Sequence, residues 1–143
     1  PGRPLAAVQQ ALAGMPVQPN WSALPYTDQN GFDEMLWACD LNFVRGEDSL
    51  VRALWAGQPF IWHIYPQDDN AHHAKLEAFL DWMQAPESLR NAHRVWNGME
   101  VGGLPSLTGN SLINWMQSGQ AAKARLLRHK TLVEKLLKYA LHL

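Results

Sequence analysis

The chain has 143 residues, of which 47% are hydrophobic and 17% charged, and its formal net charge is −1. This length fits one domain with a real hydrophobic core, and the near-neutral charge argues against a general nucleic-acid-binding protein. No apolar run approaches the roughly 20 residues that cross a membrane, so we expect no membrane partner. The single cysteine, Cys39, excludes an internal disulfide and favours a reducing, cytoplasmic compartment. We expect Cys39 to be buried as a small apolar side chain.

The predicted elements form a small α/β core followed by a helical tail. The opening residues Pro-Gly-Arg-Pro indicate a piece of a longer protein, and residues 1–19 form a poorly defined lead-in. The β–α–β–α order predicts a parallel strand pair, and the second strand, which lacks apolar–polar alternation, predicts burial of both sheet faces. Two strands are few for a stable sheet, so we expect more strands upstream. In chain order the expected elements are a helix at 5–12, a helix over 32–39, a strand at 41–44, a helix at 49–56 closed by Gly57, a strand at 59–65, a helix starting after 68–70, and helices at 87–97, 110–117 and 120–141.

The corner at residues 40–49 carries the densest chemistry in the chain. It joins the first strand directly to a helix, where free backbone N–H groups and the helix dipole favour phosphate. Ser49 is expected at the N-cap, and Arg45 adds a fixed positive charge. Glu47 and Asp48 repel phosphate and suit the hydroxyls of ribose or of a sugar, so the set favours a nucleotide sugar. A capped helix with acids in its first turn is the structural alternative.

Two further groups could complete such a site. Tyr26 and Phe32 flank a polar loop and could sandwich a flat base, while the amide of Gln29 could read the edge of that base. Tyr65 lies at the C-terminal end of the second predicted strand, the end of a parallel sheet where ligands bind, and its hydroxyl could donate to a phosphate. The alternatives are a core position for Phe32 and a boundary role for Tyr65.

Other features of the sequence favour structural roles. The histidines and aspartates between residues 63 and 73 match no zinc signature, so no metal is expected. The tryptophans at 37, 55, 62 and 82 lie on predicted apolar faces, and we expect them in the core. Residues 121–143 carry a net charge of +5 against −6 for the rest, which is typical of a solvated helix face and alternatively of a surface for an acidic partner.

Three segments together resemble the protein-arginine rhamnosyltransferases that modify translation elongation factor P. They read LPYTDQNGFD at 24–33, WACDLNFVRGEDS at 37–49 and AGQPFIWHIYPQ at 56–67. The resemblance runs from about residue 20 to the C-terminus. It implies a two-domain glycosyltransferase of the GT-B type, with residues 1–143 as its donor-binding C-terminal domain, a Rossmann-like half.

The resemblance also implies roles for the residues singled out above. The donor is expected to be dTDP-β-L-rhamnose, with Tyr26, where the family has phenylalanine, and Phe32 stacked on thymine and Gln29 at its edge. Arg45, Asp48, Ser49 and Tyr65 are expected to hold the ribose and diphosphate, and Glu47 to lie near the rhamnose. Arg45 and Glu47 are thus the candidate catalytic residues.

The resemblance further implies an inverting enzyme without metal or other cofactor, whose acceptor is an arginine of elongation factor P. The acceptor surface and the catalytic carboxylate belong to the N-terminal domain, so this chain alone is expected to bind donor without transferring it. Two alternatives remain at this point. The chain could be the donor-binding half of another nucleotide-sugar glycosyltransferase, or a helical interaction module that uses residues 121–143.

Overall fold

The computed structural model describes residues 3–17 and 19–141. Its strands are β1 (Asn42–Arg45) and β2 (Phe60–His63). Its helices are α1 (Arg3–Ala13), α2 (Gln29–Ala38), α3 (Glu47–Ala56), α4 (Ala71–Met83), α5 (Glu87–Trp96), α6 (Gly109–Leu127) and α7 (Leu132–Leu141). The chain divides into two compact units, Pro1–Phe32 and Asp33–Leu143.

The first unit contains α1 and the first turn of α2. The helix predicted at 5–12 is confirmed as α1, which extends slightly beyond those bounds. α2 starts three residues before the prediction because Asp28 caps it: the Asp28 carboxylate accepts from the Gly31 N–H at 2.9 Å. Such a cap satisfies one of the helix's free N–H groups.

The second unit is built around the predicted parallel strand pair. β1 and β2 lie side by side in register, from Asn42 opposite Phe60 to Arg45 opposite His63. α3 connects them and ends at Gly57, which adopts a left-handed conformation, so the predicted stop is confirmed. Phe60 is fully buried, as predicted for a strand without alternation.

The second edge of β2 is bonded by side chains of α5 and of the residue that caps its C-terminus. The Trp62 N–H donates to His93 Nε2 at 3.1 Å, and the Ile64 N–H donates to Asn97 Oδ1 at 3.0 Å. Asn97 Nδ2 donates in turn to the Trp62 carbonyl at 2.9 Å. Helix α5 therefore takes the position along this edge that a further strand would occupy.

The core is formed by the two strands and by buried residues of helices α2 to α6. α6 packs against α3 and α4, and its Trp115 is fully buried, with the indole N–H donating to Ser88 Oγ at 2.9 Å. Of the four tryptophans predicted in the core, Trp62 is buried. The prediction is wrong for those at 37, 55 and 82, whose side chains are exposed on the surfaces of their helices. The predicted burial of Cys39 is also wrong, because it follows the last turn of α2 and is exposed.

The C-terminal region forms two helices where the sequence predicted a short helix at 110–117 and a long one at 120–141. α6 continues to Leu127, and α7 begins at Leu132 with a capping box at its N-terminus. Thr131 Oγ1 accepts from the Glu134 N–H, and the Glu134 carboxylate accepts from the Thr131 N–H. Among the described residues, every helix is too short or too polar to span a lipid bilayer.

Candidate functional site

The corner between β1 and α3 is shaped by Gly46. Its φ of 80° and ψ of 174° belong to a region that glycine alone adopts readily. The Gly46 N–H donates to the His63 carbonyl at 3.3 Å, and its carbonyl accepts from the Leu50 N–H at 3.2 Å and from the Trp62 indole at 3.0 Å. Gly46 is therefore the N-cap of α3. The predicted N-cap, Ser49, is wrong, because the helix already begins at Glu47.

Starting the helix at Glu47 leaves free hydrogen-bond donors at the corner. The first intrahelical N–H bond of α3 is that of Leu50, so the N–H groups of residues 47–49 precede it. The half-buried Ser49 makes no capping bond, and its hydroxyl lies in the same turn. The corner thus presents donors at the positive end of the α3 dipole.

Arg45 and Tyr65 flank these donors from the carboxyl ends of the two strands. The Arg45 guanidinium lies 5.0 Å from the centre of the Tyr65 ring, within cation–π range. The same ring lies against Gly46, where an added Cβ would be 2.8 Å from Tyr65 Cε2. Tyr65 remains 50% exposed. The structure therefore brings a fixed cation and a phenol to the start of α3, as the sequence predicted for one end of the sheet.

The two acids of the corner point to solvent in the first turn of α3. Glu47 is exposed, and the Asp48 carboxylate lies 3.5 Å from Arg52 Nε. Arg52 bonds more closely to Asp33, through two contacts of 2.9 and 3.0 Å, and these contacts raise the Arg52 pKa. Asp48 therefore keeps free acceptor capacity, and Glu47 does as well. Both can accept hydrogen bonds from hydroxyl groups.

The residues predicted to hold a flat base lie in the first unit. Tyr26 is 81% exposed in the loop before α2, whereas Gln29 and Phe32 are one turn apart in α2, exposed and half-buried respectively. A Cβ on Gly31 would lie 2.0 Å from Thr27 Oγ1, so the Thr27 side chain occupies the space beside this glycine. Tyr26, Gln29 and Phe32 thus share the short segment around the start of α2.

His63 is a residue of the corner that sequence reasoning used only in a metal hypothesis. It stands opposite Arg45 and lines a cavity of about 270 Å³ with Phe43, Val44, Arg45 and Trp96. Burial and the nearby Arg45 charge lower the His63 pKa from 6.5. His63 ends β2 two residues before Tyr65, so its place in the predicted strand marks it as a residue at the ligand end of the sheet.

One of the two histidines in the first turn of α4 bonds to the backbone. His72 Nδ1 accepts from the Gln67 N–H at 3.0 Å, and the rings of His72 and His73 are 4.2 Å apart. Within residues 3–17 and 19–141, no three His, Cys, Asp or Glu side chains are grouped so as to hold a metal ion. The absence of a metal from the reaction stays a prediction.

Known proteins resemble this chain in sequence and in fold. It is 68% identical over 57 residues to a protein-arginine rhamnosyltransferase of Shewanella oneidensis, an alignment that covers 40% of this chain and 14% of that protein. It is 55% identical over 80 residues to the Pseudomonas putida protein of the same description, covering 52% and 21%. The alignments with these curated relatives thus span no more than about a fifth of their length.

A solved structure extends the likeness to almost all of the chain. It is described as the structural basis for EarP-mediated arginine glycosylation of translation elongation factor EF-P. The two structures match with a TM-score of 0.69 at 30% identity, covering 99% of this chain and 50% of the other. The family model for the elongation-factor P (EF-P) rhamnosyltransferase EarP matches residues 7–141. The chain therefore belongs to the EarP family of elongation-factor P rhamnosyltransferases.

Proposed function

We propose that residues 1–143 form the donor-binding part of an enzyme that transfers rhamnose from dTDP-β-L-rhamnose to an arginine of elongation factor P. The observation that carries this proposal is the corner at Gly46, where free N–H groups, a guanidinium and a phenol converge. Membership of the EarP family supports the activity and the acceptor. In this proposal the chain is the Rossmann-like C-terminal half of a GT-B glycosyltransferase, and it works in the cytoplasm.

The corner binds the diphosphate of the donor. Two phosphates bring two negative charges, and the start of α3 offers N–H groups together with the Ser49 hydroxyl. Arg45 supplies the balancing charge, and Tyr65 donates its O–H from the ring that packs on Gly46. The exposed carboxylates of Asp48 and Glu47 then face hydroxyl groups, with Asp48 at the ribose and Glu47 at the rhamnose.

The thymine is held by the segment around the start of α2. The exposed aromatic ring of Tyr26 and the half-buried ring of Phe32 stack on the base. The side-chain amide of Gln29, which is exposed, reads the base edge by donating one hydrogen bond and accepting another. The resemblance implies phenylalanine at position 26, and the tyrosine found here presents the same ring face to the base.

The reaction is a single displacement with inversion at the anomeric carbon. A guanidine nitrogen of the acceptor forms the new C–N bond while the bond from the anomeric carbon to the dTDP oxygen breaks, and the lost N–H proton goes to a carboxylate outside this chain. Arg45, Tyr65 and the start of α3 stabilise the charge that grows on dTDP, and Glu47 helps to orient the acceptor. No metal or cofactor takes part. Alone, the chain binds donor and transfers nothing.

Calorimetric titration of the chain with dTDP-rhamnose tests this proposal. Arg45→Ala should weaken binding by about 10- to 100-fold, because a charged hydrogen bond to phosphate contributes about 1.5–3 kcal/mol. Arg128→Ala, which removes an exposed arginine after α6, is the matched control and should bind as the wild type does. UDP-glucose should bind more weakly than dTDP-rhamnose.

Two results would overturn the proposal in different ways. Equal affinity for dTDP-rhamnose and UDP-glucose would assign the chain to another nucleotide-sugar glycosyltransferase. No binding of any nucleotide by the folded chain, together with binding of an acidic protein at residues 121–143, would favour the interaction module. α7, in which no described residue is buried, is the surface that such a module would use.

A further inference from the structure

We propose that His63 is a further contact to the donor's diphosphate, donating a hydrogen bond from its imidazole beside the Arg45 guanidinium. This inference rests on the proposed function of the corner and adds a residue to it. It follows from the place of His63 in the sheet, from the surroundings of its ring and from its charge.

The sheet places His63 next to the proposed diphosphate contacts. His63 is the last residue of β2 and pairs with Arg45, the last residue of β1. Paired residues of parallel strands project from the same face of the sheet, so the imidazole and the guanidinium are neighbours. The His63 carbonyl accepts the Gly46 N–H at 3.3 Å, which ties it to the start of α3. Tyr65, two residues on, packs against Gly46 from the same strand end.

The His63 ring has hydrogen-bonding capacity to spare. Among the described residues, none donates to or accepts from its ring nitrogens within hydrogen-bond distance. The ring is half-buried and borders the 270 Å³ cavity that Arg45 also lines. By contrast, the buried His93 of α5 uses both ring nitrogens. His63 is thus a polar side chain held at the corner without a partner in the described part of the chain.

The groups that face His63 explain how it would respond to an anion. β1 presents Arg45, α5 presents the uncharged Trp96, and the chain beyond β2 leads to Tyr65. Burial and the Arg45 charge lower the His63 pKa, so the ring is neutral at pH 7. A bound diphosphate reverses that balance, because its negative charge offsets Arg45 and favours imidazolium. Donor binding should therefore take up a proton at His63.

Proton uptake makes a measurable link between pH and affinity. The phosphates of a nucleotide sugar carry no proton between pH 6 and pH 8, so the donor itself does not titrate. We expect the wild-type affinity for dTDP-rhamnose to rise at least about threefold from pH 8 to pH 6, since proton uptake on binding favours the complex at low pH. His63→Gln should abolish most of this rise. His129→Gln, an exposed histidine after α6, is the matched control and should retain it.

NMR of the wild-type chain provides a readout that needs no variant. The His63 Cε1–H signal, titrated with and without dTDP-rhamnose, should report a higher pKa in the complex. An unchanged His63 pKa, or a rise in affinity that His63→Gln leaves intact, would overturn the role of His63 while donor binding stands. Failure of the wild-type chain to bind donor at any pH would overturn the proposed function, and the role of His63 with it.

Discussion

Lowering the pH tests how much His93, the buried histidine that connects α5 to β2, contributes to the stability of the fold. His93 is fully buried, and its Nε2 accepts from the Trp62 N–H, so the ring proton lies on Nδ1 and donates to the Leu89 carbonyl at 2.9 Å. Burial lowers the His93 pKa from 6.5 to about 4. A second proton on the ring would remove the only acceptor that His93 offers to the strand.

The loss of stability follows from the two pKa values. Because the folded-state pKa is the lower one, the unfolded chain binds the proton first, and stability falls as pH drops from 6.5 towards 4. The difference lowers the free energy of unfolding by about 2 kcal/mol at pH 5 and about 3 kcal/mol at pH 4. Glu77, whose pKa the Arg94 guanidinium lowers, adds to the loss only below its usual pKa of 4.5.

Urea unfolding followed by tryptophan fluorescence between pH 7.5 and pH 5 measures this loss. His93→Gln keeps an oxygen that can accept from the Trp62 N–H but does not titrate, so its stability should be lower at pH 7.5 and nearly constant with pH. His63→Gln measures the smaller part of the pH-dependent loss of stability that comes from His63, whose pKa is also lowered. His129→Gln is the control and should lose stability with pH as the wild type does. A wild-type slope that survives in His93→Gln would refute the reasoning.

Two further substitutions test the packing of the corner and of the strand edge. Gly46→Ala should lower the free energy of unfolding by about 2–3 kcal/mol, because alanine disfavours this backbone conformation and its Cβ would press on Tyr65. Gly98 has a similar φ of 71° but no atom near its Cβ position, so Gly98→Ala should lower it by about 1 kcal/mol. Equal costs would show that Tyr65 does not press on Gly46. Asn97→Ala should cost about 1–3 kcal/mol, because the Ile64 N–H loses its acceptor. Asn91→Ala, which removes only an exposed hydrogen bond to Glu100, should cost less than about 0.5 kcal/mol, and urea unfolding measures all four variants.

The sequence predicted the parts of the fold that depend on local pattern. β1 and β2 are short apolar runs in the sequence, and Gly57 marks the end of α3 where the hydrophobic spacing also stops. The corner was found for the same reason: a strand and a helix meet there with no room for a linker. The residues Arg45 and Tyr65 then follow from their places at strand ends.

What the sequence did not predict depends on backbone geometry and on tertiary packing. Side-chain preference favours Ser49 as the N-cap, but the conformation of Gly46 starts the helix earlier. The capping box of Thr131 and Glu134 was present in the sequence and was missed, because the apolar spacing runs on across it. The roles of His93 and Asn97 as partners of β2 require knowledge of which helix lies along the strand, and that is set by the fold.

The most direct test of the account is the response of the backbone amides at residues 47–49 to donor. We predict that saturating dTDP-rhamnose shifts these signals in an NMR titration, while the amides of α7, far along the chain, stay in place. Unmoved signals at 47–49, in a chain whose buried Trp62 and Trp115 indoles show that it is folded, would contradict the claim that this corner binds the diphosphate.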